Sequence, residues 1–290
     1  MVSQGEAFCP GHVTAFFEVC EDANPRKKGS RGAGLSLTLG VKTTARVRDA
    51  SMPSMEIFVN EKRRRAEVTE RAAVKVLQDR PYEVKILSES PLPVSQGFGV
   101  SSAAALSTVL ALDDALGLGM KREELVALAH ETDVECGTGL GDVVPASMGG
   151  MDLRLRPGAP GFAEVRTFKV RKPLLLATVG PEIPTRSVIR DPTRVAAINR
   201  VGGDCVEQFA SNPTFERLFD LGNRFAEDTG LASKTILEVV RGSRMFGRAS
   251  MAMLGNSIFA DGTRQELVSL FLKFGTISRC EVDNDGARVI

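Results

Sequence analysis

Pro93-Val-Ser-Gln-Gly97-Phe-Gly99-Val-Ser101-Ser102-Ala103 is the stretch whose reading decides the fold. Before it, Tyr82 to Leu87 has strand character; after it, the pattern from Ser101 to Leu116 predicts a long helix closed by Gly117. Glycines at 97 and 99 let the backbone approach a phosphate closely, and the first turn of the following helix offers unpaired N–H groups with a favourable dipole. Ser101 and Ser102 stand at that helix start, where a hydroxyl caps the helix or reaches a metal on a nucleotide. Gly-x-Gly before a serine also describes an ordinary strand-to-helix turn, so this stretch alone names no ligand. No Gly-Lys-Ser/Thr follows and no third glycine is present, which excludes a Walker A loop and a dinucleotide fingerprint.

Working outward, residues 35–48 and 82–87 read as strands, and residues 62–79 as an amphipathic helix begun by the basic run Lys62-Arg63-Arg64-Arg65. A second helix is predicted from Lys121 to Glu135, with Gly137 marking its end. Pro157-Gly-Ala-Pro-Gly161 is the best linker candidate. Beyond it come a buried-type strand at 174–179, helical patterns over 193–240, and strand-like runs near 251–260 and 274–282. Strands and helices mix without regular βαβα alternation, so the expected class is α+β, in two domains covering residues 1–158 and 159–290.

Bulk properties remove several function classes. The net charge of +1 predicts no polyanionic partner, and the basic run is better read as a solvated helix start than as a nucleic-acid site. No apolar run approaches the length of a membrane span, and no signal peptide is evident, so a cytoplasmic protein without a membrane partner is expected. Five scattered cysteines without a C-x-x-C suit reduced thiols. Two histidines, His12 and His130, are too few for a histidine-rich metal centre.

Pro93, Gly97, Gly99, Ser101 and Ala103 resemble the phosphate motif of the GHMP kinases, which include galactokinase, homoserine kinase and mevalonate kinase. Ser101 takes the place of the second serine of the family's Gly-Leu-Gly-Ser-Ser-Ala, while Val100 replaces the first, which leaves Ser101 and Ser102 both open as the metal-side hydroxyl. The resemblance implies a two-domain fold: an N-terminal ATP-binding domain like ribosomal protein S5, with phosphate loop 93–103, and a ferredoxin-like C-terminal domain. It also implies ATP and Mg²⁺.

The second helix and the turn after it, His130-Glu131-Thr-Asp133-Val-Glu135-Cys-Gly-Thr-Gly-Leu-Gly141-Asp142, supply acids for such chemistry. On a helical projection His130 and Asp133 share one flank while Glu131 and Glu135 share the other. The resemblance implies that an acid on this helix binds Mg²⁺; the scarce histidine beside Asp133 and the pattern Ala-His-x-x-acid favour Asp133, while a gap-free comparison with mevalonate kinases picks Glu131 as the alternative. Asp142 matches the Ser-Gly-x-Asp turn that carries the family's catalytic aspartate; as a bare sequence feature it also suits a turn cap.

Pro10-Gly11-His12-Val13 resembles the superfamily's Pro-Gly-Lys-Val start, with His12 at the lysine position. The segments Arg26–Gly34, Gly149–Arg154 and Phe246–Ala260 resemble the archaeal pantoate kinases, which act in coenzyme A biosynthesis. That resemblance implies phosphorylation of a small hydroxy acid, pantoate, to 4-phosphopantoate, with Ser30, Arg31, His12, His130 and Arg154 on the substrate side. An arginine fork suits a carboxylate, and Ser30 and Arg31 are read as part of a basic glycine-rich loop around a small anion. Thr185-Arg186-Ser187 is a further anion contact to consider. The alternatives are a GHMP kinase for another hydroxy acid or an amino acid such as homoserine, and a non-catalytic ligand-binding protein on the same fold. A homodimer stays open.

Overall fold

The computed structural model describes residues 2–290 except 79 and 184. The first half runs β1 (Val2–Cys20), β2 (Gly29–Asp49), β3 (Ser54–Val59), β4 (Lys62–Arg63), α1 (Glu67–Leu77), β5 (Tyr82–Glu89), α2 (Val100–Leu116), α3 (Arg122–Cys136), α4 (Val143–Met148), β6 (Met151–Arg156) and β7 (Glu164–Phe168). The second runs β8 (Pro173–Thr178), α5 (Thr185–Ile189), α6 (Pro192–Ser211), α7 (Phe215–Asp228), α8 (Lys234–Ser243), β9 (Ala249–Ala252), β10 (Ser257–Asp261), α9 (Gln265–Phe271), β11 (Thr276–Glu281) and β12 (Arg288–Val289). The α+β class expected from the sequence is what the chain adopts.

Among the described residues an eight-stranded sheet has the order β12-β1-β2-β5-β3-β4, with β6 pairing β2 and β7 pairing β6. A four-stranded antiparallel sheet has the order β11-β8-β10-β9. Residue 158 lies in the turn between β6 and β7, inside the first sheet, so the change of sheet falls between Phe168 and Pro173. The chain also returns at its end, where β12 pairs with β1 at Ala7 and Phe8.

The two long antiparallel strands β1 and β2 form the backbone of the molecule, pairing from Val2↔Arg48 to Cys20↔Gly29. β1 was not evident from sequence because Pro10-Gly11 interrupts it, and the register shifts there and again between Thr14 and Phe16. Such irregularities re-aim side chains. Two other expectations change. Lys62-Arg63 forms the short strand β4 after a turn at Asn60 and Glu61, both at positive φ, so the helix begins only at Glu67. Ser30 and Arg31 lie on strand β2 and not in a loop, because Gly29 onward pairs with Cys20 and the residues before it.

The core joins the sheets. Phe16 of β1 meets Phe209 of α6 edge-on at 5.6 Å between ring centroids, and Phe17 meets Phe225 of α7 at 5.5 Å. Phe16 has no exposed surface, so Phe16→Ala is expected to cost about 3–5 kcal/mol. On the other side α2 is apolar nearly all round and buries Leu106, Val109, Leu110 and Leu112, as a central helix must. Its C-terminus is closed by Gly117 in the left-handed conformation, as read from the sequence. This anchoring fixes the opposite, N-terminal end of α2.

Candidate active site

That N-terminal end opens on a cavity lined by the phosphate loop, the 137–142 turn, Thr14 and Ser30 of the first sheet, Thr185 and Arg186 of α5, and Met253 and Leu254 of the second sheet's β9–β10 turn. Gly97 and Gly99 sit at φ +77° and +63°, backbone that L side chains rarely adopt. A Cβ on Gly97 would lie 2.7 Å from the Ala252 carbonyl oxygen, and one on Gly99 would lie 3.1 Å from the His12 backbone. The loop therefore threads between β1 and the β9–β10 turn, and Val100, Ser101 and Ser102 begin α2 at the cavity wall.

Ser102 is buried and donates to Asp133 Oδ2 at 2.5 Å, while Thr138 donates to Asp133 Oδ1 at 2.6 Å. Ser101, one residue earlier, is only partly buried and also lines the cavity. Asp133 is itself buried and has no cationic partner among the described ion pairs. Burial pushes its carboxyl up to about 6 and the nearby charge of Asp142 adds to this, against the two hydroxyl hydrogen bonds. A Cβ on Gly139 would come within 2.1 Å of Asp133 Oδ2, so the glycine keeps that oxygen clear. Hydroxyl and carboxylate oxygens of this kind fit Mg²⁺, which binds through one or two carboxylates plus substrate phosphates. Among the described residues no group of three or more His, Cys, Asp or Glu side chains is placed to hold a metal ion.

Glu131 faces elsewhere. Its carboxylate accepts from Lys75 Nζ at 2.7 Å and from Arg26 Nε at 2.9 Å, and these cations hold it below the usual range despite its partial burial. The helical-flank reading thus separates the two acids. It fails to bring His130 to the cavity. His130 shares a flank with Asp133 but is buried with Nε2 2.9 Å from the Lys28 carbonyl, and burial lowers its pKa.

Asp142 sits at the cavity with its side chain 26% exposed. It makes no cap on α4; instead its Oδ1 accepts from Thr14 Oγ1 at 3.1 Å and Arg154 Nη1 at 3.3 Å, and faces His12 Nδ1 at 3.1 Å. Burial works against its charge, but His12, Arg154 and Thr14 outweigh it and hold the carboxyl at about 2. His12 is buried, with its other nitrogen, Nε2, 2.6 Å from Asp152 Oδ1. Arg154, also buried, further donates to the Gly141 carbonyl and to Thr14.

The sheet register explains how these groups meet. Gly34 of β2 pairs with Thr14 on one side and Asp152 on the other, and Gly32 pairs with Arg154. A Cβ on Gly34 would lie 2.5 Å from His12 Cε1, and one on Gly32 would lie 2.7 Å from Arg154 Nη2. The bare row of glycines lets side chains of β1 and β6 touch across the strand between them. Thr14 and Asp152 were missed in the sequence. Strand alternation offered a signal for Asp152, since it stands two residues before Arg154 and so on the same face.

Of the remaining candidates, Ser30 lines the cavity. Arg31 does not; it pairs with Glu18 at 3.2 Å and Glu207 at 2.6 Å. Arg186 lines the cavity while bonded to Glu67 at 3.1 Å. Pro93 is exposed, Ala103 is buried in α2, and neither is in the lining.

A family profile described as the GHMP kinases N terminal domain matches residues 67–150. Over 265 residues the chain is 31% identical to a pantoate kinase of Methanocaldococcus jannaschii, covering 90% of this chain and 93% of that one. It is 34% identical to a pantoate kinase of Thermococcus kodakarensis over 88% of this chain and 86% of the other. The chain belongs to the pantoate kinase family. Among solved structures, a phosphotransferase related to the CoA biosynthesis pathway superposes with a TM-score of 0.89 at 29% identity, covering 100% of this chain and 99% of that one. The fold is therefore the GHMP kinase fold, and the family's members are kinases.

Proposed function

We propose that this chain transfers the γ-phosphoryl group of ATP to the hydroxyl of pantoate, giving 4-phosphopantoate and ADP for coenzyme A biosynthesis. The observation that carries the reading is similarity to pantoate kinases along about nine-tenths of the chain, with a phosphate-type helix start and a cation-flanked aspartate at one cavity. The five cysteines are all free, which suits the reducing cytoplasm we assign to it.

In this reading the N–H groups at the start of α2 and the turn of Gly97 to Gly99 hold the phosphates. Ser101 or Ser102 and Asp133 are the residues for Mg²⁺, which when bound neutralises phosphate charge. Asp142 orients the acceptor hydroxyl. With two cations beside it, it is a weak base, and its value is a fixed negative charge aimed at the attacking oxygen. In the loose transition state of phosphoryl transfer the hydroxyl proton leaves late, so placement matters more than basicity. Ser30, Thr185 and Arg186 line the same cavity and are offered to the acceptor, with Arg154 behind Asp142.

The test is ADP release with ATP, Mg²⁺ and a panel of hydroxy acids and amino acids. Release with pantoate is expected; release with homoserine or mevalonate and none with pantoate overturns the acceptor.

A further inference from the structure

We propose that Asp152 is a positioning residue for the transfer, acting through His12 to hold Asp142 in place. This rests on the reading of Asp142 as the hydroxyl-orienting group. Asp152 does not line the cavity. It has no exposed surface, and His12 is only 1% exposed. The imidazole lies between two carboxylates, with Nε2 2.6 Å from Asp152 Oδ1 and Nδ1 3.1 Å from Asp142 Oδ1. A carboxylate only accepts, so a ring held between two of them needs an N–H toward each. A neutral imidazole has one N–H and a protonated one has two. The geometry thus calls for imidazolium.

A buried imidazolium is costly unless paired. Asp142 alone already faces Arg154, so it is shared between two cations. Asp152 supplies the fourth charge and makes the group of two cations and two anions neutral. It also faces Arg154 Nε at 3.6 Å, which ties both cations to one carboxylate on β6. His12 is faced by Asp152 of β6, by Asp142 of the 137–142 turn and by Thr14 Oγ1 of its own strand at 3.5 Å, with Gly34 and Gly99 packed against it; Arg154 reaches it only through the two carboxylates. Burial lowers the histidine's pKa, but the two carboxylates win and raise it to about 9.

The sign for activity follows. Imidazolium is present below that pKa and lost as pH rises through it, so turnover has an alkaline limb. Asp152→Asn keeps the shape and an acceptor for Nε2–H but removes the charge, so the midpoint of that limb moves down by roughly 1–3 pH units. The half-saturating ATP concentration stays the same. A purely structural Asp152 would lower turnover by the same factor at every pH, or lower only the melting temperature, and either result overturns the proposal.

The second measurement needs no substrate. The chain has two histidines, so imidazole ¹⁵N spectra of the free, unaltered protein show two rings, told apart with His130→Gln. The expected His12 is protonated on both nitrogens at pH 7.5; a singly protonated ring there overturns the proposal even if Asp152→Asn fails to fold. Absence of ADP with pantoate would sink the assigned reaction and leave this titration to decide on its own.

Discussion

Asp133 and Asp142 are nine residues apart, Asp142 on the cavity and Asp133 bonded to the cavity-lining Ser102 and Thr138, yet their surroundings are opposite. Asp133 is held only by the hydroxyls of Ser102 and Thr138, and burial raises it to about 6. Asp142 has His12 and Arg154 beside it and is held at about 2. Environments that push two carboxylates apart mark a division of labour. One is a charge without a built-in partner, ready for a cation that comes with the nucleotide. The other carries its own cations, which hold it ionised.

The largest expected effect breaks the Asp142 half. Asp142→Asn keeps size and nearly all polar contacts but loses the charge aimed at the hydroxyl. Turnover should fall roughly 10²–10³-fold with ATP binding retained, the scale for losing a preorganised electrostatic group, measured by steady-state kinetics and nucleotide titration. A turn-capping role predicts near-normal turnover, since asparagine caps as well as aspartate. The absence of any side-chain cap from Asp142 onto α4 already points away from that role.

Next comes Asp133→Ala, which should lower turnover roughly 10²-fold, the scale for loss of one preorganised charge-stabilising group. The pH dependence sharpens the contrast. With its pKa raised to about 6, Asp133 takes up a proton as pH falls through that value, so the half-saturating Mg²⁺ concentration should rise on the acid side. Asp142, at about 2, should contribute no such acid limb over the same range. Equal Mg²⁺ demand at pH 5.5 and pH 7.5 would remove Asp133 from the metal side.

Much of this site was legible in sequence because it is local. The phosphate loop, the helix it starts and the Gly137–Asp142 turn each lie within a short window, where glycine placement and helical projection carry the information. The helical projection put Asp133 and Glu131 on different flanks, and the structure gives them different partners, Ser102 and Thr138 against Lys75 and Arg26. They could not show that the flank shared by His130 and Asp133 borders two different surroundings, the Lys28 carbonyl and Ser102. The His12–Asp152–Asp142–Arg154 group was hidden because it is assembled across strands 140 residues apart. Its enabling feature, glycines 32 and 34 on β2, read as part of a basic glycine-rich loop because glycine frequency alone does not separate a bare strand from a turn. Pro10-Gly11 hid β1 for the same reason.

Arg154→Ala tests how far the built-in cations reach. If Arg154 also meets the acceptor carboxylate, loss of a charge-assisted hydrogen bond worth about 1.5–3 kcal/mol raises the half-saturating pantoate concentration roughly 10- to 150-fold. If it serves only Asp142, Gly141 and Thr14, turnover falls and pantoate dependence hardly moves. The ratio of the two effects, read from one set of saturation curves, assigns the carboxylate to Arg154 or moves it to Arg186, the other arginine on the cavity.

The smallest effect on turnover is expected from Glu131→Ala, two residues from Asp133. Glu131 bonds Lys75 of α1 and Arg26 of the loop before β2, and Arg26 also bonds Glu124 at 2.8 Å. The network ties that loop and two helices together outside the cavity, and its members are partly exposed. Paired charges of this kind are worth on the order of 1 kcal/mol at most, less at high salt. Turnover should therefore stay within a few-fold of the parent while the melting temperature drops slightly, and added salt should narrow that drop. Were Glu131 the metal acid, the result would invert, with Mg²⁺-dependent turnover collapsing and the melting temperature barely changed. Running Glu131→Ala beside Asp133→Ala at matched Mg²⁺ separates a carboxylate already neutralised by lysine and arginine from one that waits for its cation.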